Sequence, residues 1–352
     1  MTFQHSLTAA RSALAAATLA FAGGVVAAPL YSIQKLDRPE GVQPDNATAI
    51  SDNGIVVGFG RIGDGPYTAP LIRRHHKTHR MESPDRAFPE VWSVNKLGES
   101  AGHSSLNSTA VIWDSTGHST DLDSLIPCDA DDGGRNTRAV DINNNSEVLV
   151  ALECWERNWF NHAFVYHAGT VTPVGDLGGG DARANDINNL GQVVGISTLP
   201  PDGQGKSVSH AFVWDKGVMR DLGTLGGGQF SNAKAINDLG HMAVIADDQA
   251  GKVQLYLHDG TSARKLHNCN DDRAMYPVAI NNHDDIVANT AIEQEGYLFQ
   301  NGHCYHLVDL LDASGTGWEE LTINDINHKG VIVGYGFLNR QLRGFIATPV
   351  RR

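Results

Sequence analysis

The segment "NHAFVYHAGTVTPVGDLGGGDARANDINNLG" at 161–191 returns, scarcely altered, as "SHAFVWDKGVMRDLGTLGGGQFSNAKAINDLG" at 209–240. Repetition at a fixed offset confines a chain to stacked copies of one supersecondary unit, each burying its apolar faces against its neighbours. The repeat therefore has to be counted before any residue is given a role. Its clearest mark is an Ile followed by Asn and, four positions after the Ile, by Gly. The Ile or its substitute stands at Ile50, Val94, Ile142, Ile187, Ile236, Ile280 and Ile326. Seven copies with a period of about 46 residues fall in the range of propeller blades.

The next residue is Asn95, Asn143, Asn188, Asn237, Asn281 or Asn327, and Ser51 in the first copy. Gly54, Gly98, Gly191, Gly240 and Gly330 close the motif, with Ser146 and Asp284 in their place in copies three and six. An Asx or Ser side chain that bonds the backbone two residues on, followed by a residue able to take positive φ, describes a tight hairpin turn. Around it each copy reads as four short strands, seen in copies four and five as "AKAIN", "GQVVGIS", "HAFVW" and "VMRDL". These are alternating, β-branched and aromatic, and no helical period occurs in the repeats. The expected fold is all-β: a seven-bladed β-propeller of four-stranded antiparallel blades. The last copy ends without a clear fourth strand, whereas "YSIQKL" at 31–36 precedes the first with fourth-strand spacing. Pairing of that strand near Phe345–Thr348 is expected to close the ring and remove two exposed edges.

The pattern resembles the HAF family of probable extracellular repeat proteins, through His162–Phe164 and His210–Phe212 ("HAF"), "DLGTLGGG" at 221–228 and "DINNLGQVVGIS" at 186–197. Copies three to five carry the match, and the others share only its skeleton, with "TAPLI", "TAVIW" and "GYLF" at the third strand. The resemblance implies an exported repeat protein and brings no catalytic residues with it.

A start basic only at Arg11, an Ala-rich apolar run and "VVA" before Ala28 are expected to form a signal peptide over 1–27. A single propeller domain over 28–352 follows, with no membrane span once the leader is cleaved. Four cysteines in an exported chain favour two disulfides, and pairing of sequence neighbours is expected: Cys128 with Cys154, Cys269 with Cys304. A formal net charge of −13 argues against nucleic acid as a partner. The basic run Arg73–Arg80 reads as an outer hairpin or an anion patch. No His-Glu-x-x-His motif supports a zinc hydrolase.

Both short connections of the repeat lie at one end of each blade, so the long, variable ones gather on the opposite face, where binding sites are usually built. Non-repeating insertions there carry Trp155, Arg157, Trp159, Trp318 and Glu319, a combination suited to stacking on sugar faces and holding hydroxyls or uronates. Trp113 and Trp214 occupy repeat positions and are expected in the core. No cofactor or metal is expected: Asp129, Asp131 and Asp132 could ligate a calcium ion, but they read first as an acidic turn pinned by a disulfide. Asp141, Asp186 and Asp325 read as inner-strand residues bonded to the adjacent copy. Two functions fit: a binding module for a glycan or other extracellular ligand, or a polysaccharide lyase or glycosidase using Arg138, Arg183, Tyr276 and Glu319.

Overall fold

The computed structural model describes residues 30–84, 88–104, 108–128, 135–155, 159–267, 269 and 273–350, leaving aside the side chains of 154, 155, 159 and 160. It is an all-β propeller whose blades are four-stranded and antiparallel. In the first copy Val42–Ile50, Val56–Ile62, Thr68–Arg74 and Lys77–Arg80 pair in chain order, from the centre outward. The outermost strands are mostly exposed, as in Val218–Asp221. Central ones are buried on both faces, because each sheet is covered by a neighbour on either side. Apolar clusters accordingly form between sheets: Leu149, Ala163 and Val165 of copy three pack with Ile187, Phe212 and Trp214 of copy four. Trp113 and Trp214 are core residues, 1% and 6% exposed.

Among the described residues five four-stranded sheets stand alone, and the strands of 182–265 form a single sheet of eight. The expectation of a seven-bladed propeller is corrected to that extent: five blades stand as separate four-stranded sheets, and the strands of copies four and five are joined. The cause lies in the Gly-rich entry to copy five. Strand Gly227–Ile236 is extended at its start, where Asp247 Oδ1 accepts from the backbone N–H of Gln229 and Phe230, and Phe230 then pairs in parallel with Ser209. Tyr31–Lys35 pairs antiparallel with Gln341–Pro349, from Tyr31 opposite Pro349 to Lys35 opposite Phe345, which is the pairing the sequence suggests.

Cys269 and Cys304 form a disulfide with their Cα atoms 5.2 Å apart, joining the connection that enters copy six to that copy's outer strand. Closing 35 residues stabilises by about 3 to 4 kcal/mol in chain-entropy terms. Cys128 is also disulfide-bonded, while the Cys154 side chain, its expected partner, lies outside the described residues.

Candidate functional site at the central channel

All seven innermost strands carry the same irregularity. Between the third residue before the Ile and the one just before it the register shifts, in every copy from Ala47/Ala49 to Ile323/Asp325. Such a bulge leaves one residue unpaired and re-aims its side chain. Here the skipped residues are Thr48, Trp92, Val140, Asn185, Lys234, Val278 and Asn324. All of them line one central cavity of about 280 Å³. The repeat thus builds a channel whose wall composition is set by seven positions free to differ.

One end of the channel is ringed by the tight turns, whose residues Asp52, Asn144, Asn189, Asp238 and Asn282 line the cavity. Each motif asparagine is buried, and its Oδ1 accepts from the N–H groups two and four residues on, as Asn188 does from Leu190 and Gln192. Its Nδ2 donates to the main-chain carbonyl of the next copy's asparagine: Asn95 to Asn143, Asn143 to Asn188, Asn188 to Asn237, Asn237 to Asn281, Asn281 to Asn327, and Asn327 to Ser51, at 2.9–3.2 Å. Ser51 lacks an amide, and Asn53 Nδ2 reaches Lys96 O instead. The fifth residue of every turn takes positive φ, Ser146 and Asp284 included, both at 62°.

Carboxylates cross the same seams just above. Asp141 accepts from Ile187 N–H, Asp186 from Ile236 N–H and Asp325 from Ile50 N–H, the inter-copy role read from the sequence. Burial pushes the Asp186 carboxyl well up, reinforced by the charge of Asp141 and a hydrogen bond to it. Burial likewise raises Asp325 to about 7, against the N–H groups of Ile50 and Ile326 and with Asp141 and Asp52 adding repulsion. Both groups hold a proton more tightly folded than unfolded. The stabilising contribution of each is fully present below its unfolded value and is lost as the pH climbs through its folded one, which for Asp325 is about 7. Wild type is therefore expected to lose stability between pH 4 and 8, and Asp325→Asn to lose about 1 to 2 kcal/mol less, the full shift being discounted because Asp325 lines the central cavity. Parallel melting-temperature profiles for the two proteins would contradict this.

The other end opens among the long connections. Strand Arg135–Ile142 runs from that face toward its turn, and the end of Val148–Trp155 lies beside its start, Cys154 opposite Arg135. A cavity of about 260 Å³ at this mouth is lined by Trp92, Arg138, Glu153, Asn161, His162 and Arg183, among others. Trp92 is half-buried, stacks on His103 with ring centres 5.4 Å apart, and donates from its indole N–H to Glu90. Arg138 pairs with Glu153 at 3.1 Å. Arg183 is exposed and lines a second cleft of about 490 Å³ with Asn185, Phe230, Asn232 and Lys234.

The sequence-derived site is only partly reproduced. Trp318 was expected exposed and is instead 6% exposed, edge-on to Phe345 at 5.9 Å within the core of the last copy. It begins a strand, Trp318–Ile326, whose first side chain faces the adjacent strands, so it cannot serve as a platform. Glu319 is exposed and lines none of the described cavities. Arg157, Asp129, Asp131 and Asp132 lie outside the described residues, as do the side chains of Trp155 and Trp159. Arg138 and Arg183 do come together. Tyr276 is exposed on another innermost strand, Met275–Ile280. The basic run 73–80 is an outer hairpin, with Arg74 latched onto the carbonyls of Ser115 and Gly98. Trp92 was missed. The available signal was a Trp two before the landmark residue, where the other copies carry Thr, Val, Asn or Lys.

No protein-family model matches the chain, and no curated protein sequence does. Solved structures share its fold at low identity. The β-propeller domain of the Trilobed protease from Pyrococcus furiosus aligns with a TM-score of 0.59 at 11% identity, covering 88% of this chain and 94% of that one. YCF48 bound to D1 peptide gives 0.53 at 12%, covering 93% and 99%. A virginiamycin B lyase from Staphylococcus aureus gives 0.52 at 10%, covering 91% and 100%. This chain is similar to all three as a β-propeller.

Proposed function

We propose that this chain is an exported binding module of the HAF type that takes a glycan at the long-loop mouth of its channel. The observation that carries this reading is the cavity shared by Trp92, Arg138 and Arg183: an aromatic ring beside guanidinium groups, in a recess of about 260 Å³. Rings stack on apolar sugar faces while charged groups hold hydroxyls and carboxylates. The scaffold we infer is a seven-bladed ring, the eight-stranded sheet counting as two blades, closed by the N-terminal strand. Its support is the belt of asparagine bonds that passes from copy to copy and from the seventh back to the first. An oxidising compartment agrees with the Cys269–Cys304 disulfide.

Similar folds include both a peptide-bound protein and a lyase, so the propeller alone selects neither binding nor catalysis. The mouth favours binding. Glycoside hydrolysis needs two free carboxyl groups at a set separation. Among the residues lining the Trp92 cavity the one carboxylate is Glu153, held by Arg138 and Asn136. The test is a glycan array run beside assays for reducing ends and unsaturated products. Binding without product is expected, and Trp92→Ala is expected to weaken it by about 1 to 2 kcal/mol, with Trp92→Phe close to wild type. Product formation would replace the binding module by a polysaccharide-active enzyme.

A further inference from the structure

We propose that the ligand is an acidic glycan, one of whose carboxylates is received in the cleft between copies four and five by Arg183 and Lys234. This rests on the glycan-binding reading and deepens it. The cleft of about 490 Å³ adjoins the Trp92 cavity, because Arg183 lines both. A saccharide stacked on Trp92 can therefore extend a substituent across Arg183 toward Lys234.

The three cations of the mouth differ in what they already hold. Arg138 is neutralised by Glu153. The Arg183 side chain has neither an ion pair nor a hydrogen bond among the described residues, and its exposed guanidinium offers the paired donors that fit a carboxylate. Lys234 sits deeper, half-buried, and its ammonium makes one long hydrogen bond, to Asn185 Oδ1 at 3.3 Å. No carboxylate of the described residues lies within ion-pair distance of it. Burial without a compensating charge holds its pKa below the ordinary lysine range, the expected condition of an ammonium that has no anion. Asp181, the cleft's own carboxylate, is turned to the backbone N–H of Asn161 at 3.0 Å. Asn185 is fixed as well, its amide donating to Asn232 Oδ1 and Ala233 O, so the wall beside Lys234 is set before a ligand arrives.

Overall charge narrows the class. A chain of formal net charge −13 repels densely charged polyanions, whereas isolated carboxylates on a sugar backbone meet the two cations locally. A uronate polymer fits this better than a heavily sulfated one.

The experiment titrates the full chain with a short oligogalacturonate and with the same oligosaccharide after carboxyl reduction. Intact ligand is expected to bind wild type at least about tenfold more tightly than the reduced form, a preference that Arg183→Ala cuts and the Arg183→Ala, Lys234→Gln pair abolishes. Arg183 is exposed, so its variant tests the idea even if changes at Lys234 disturb the fold. Equal affinity for the two forms would overturn the acidic subsite and leave glycan binding standing. If neither saccharide binds, or an acidic peptide binds in their place, both readings fall.

Discussion

Removal of residues 28–38 is expected to abolish cooperative folding and leave the protein aggregated. Tyr31–Lys35 supplies the outer strand of the sheet that also holds Trp318–Ile326, Ile332–Leu338 and Gln341–Pro349. Tyr31 and Ile33 are buried in that sheet's cluster with Leu298, Trp318 and Phe345. Leu36 belongs instead to the seam between last and first copies, with Ile50, Val56, Val333 and Ile346. Asp37 then fastens the segment to the first copy, accepting from Thr78 N–H at 2.7 Å and pairing with Arg73 at 3.3 Å. The loss thus strikes two interfaces together. Three large buried side chains at roughly 2 to 5 kcal/mol each amount to most of the stability of an ordinary domain. The freed edge of Gln341–Pro349 would in addition template association. Light scattering and calorimetry of the truncated chain check this, and a synthetic peptide of residues 28–38 is expected to restore part of the transition. A truncated protein melting within a few degrees of its parent would show that the N-terminal strand does not close the structure.

The elements most legible in the sequence were those that recur. A turn needing Asx at one place and positive φ at another leaves the same letters in every copy, and strand order followed from them. Their shared repeat position placed Trp113 and Trp214 in the core. Isolated features carried no such control. Trp318 stands outside the repeat, which suggested a loop, yet the final sheet needed an aromatic to pack on Phe345. The bulge is common to all seven copies but leaves no common residue. It aims whatever is there, Thr48 or Trp92 or Lys234, into the channel, and a rule about position without identity is invisible to residue matching. The second function of the asparagines was hidden for a related reason. The turn accounts for Oδ1, while the partner of Nδ2 lies one whole repeat away.

Asn188→Ala is expected to destabilise the protein by about 3 to 4 kcal/mol, far more than a turn residue on the surface would. Its side chain makes four hydrogen bonds: it accepts from Leu190 and Gln192 N–H, and donates to Gln192 Oε1 and Asn237 O. The group is 4% exposed, so the abandoned N–H and carbonyl groups would have little access to water. The first copy supplies a control built by the chain itself. There Ser51 keeps one turn bond, accepting from Ile55 N–H at 3.0 Å, and the link to the next copy moves to Asn53. Asn145 in copy three makes the same reach, to Asn189 O. Asn188→Ser should accordingly cost about 2 kcal/mol, retaining a turn bond but not the seam, and adding Leu190→Asn should recover about half by reaching the next copy as Asn53 does. Leu190 is 58% exposed, so its own replacement removes little apolar burial. Chemical denaturation of the single variants and the pair gives the coupling directly. Additive effects, with no recovery in the double variant, would mean that the asparagines serve their own turns and that the belt between copies contributes nothing to holding the ring together.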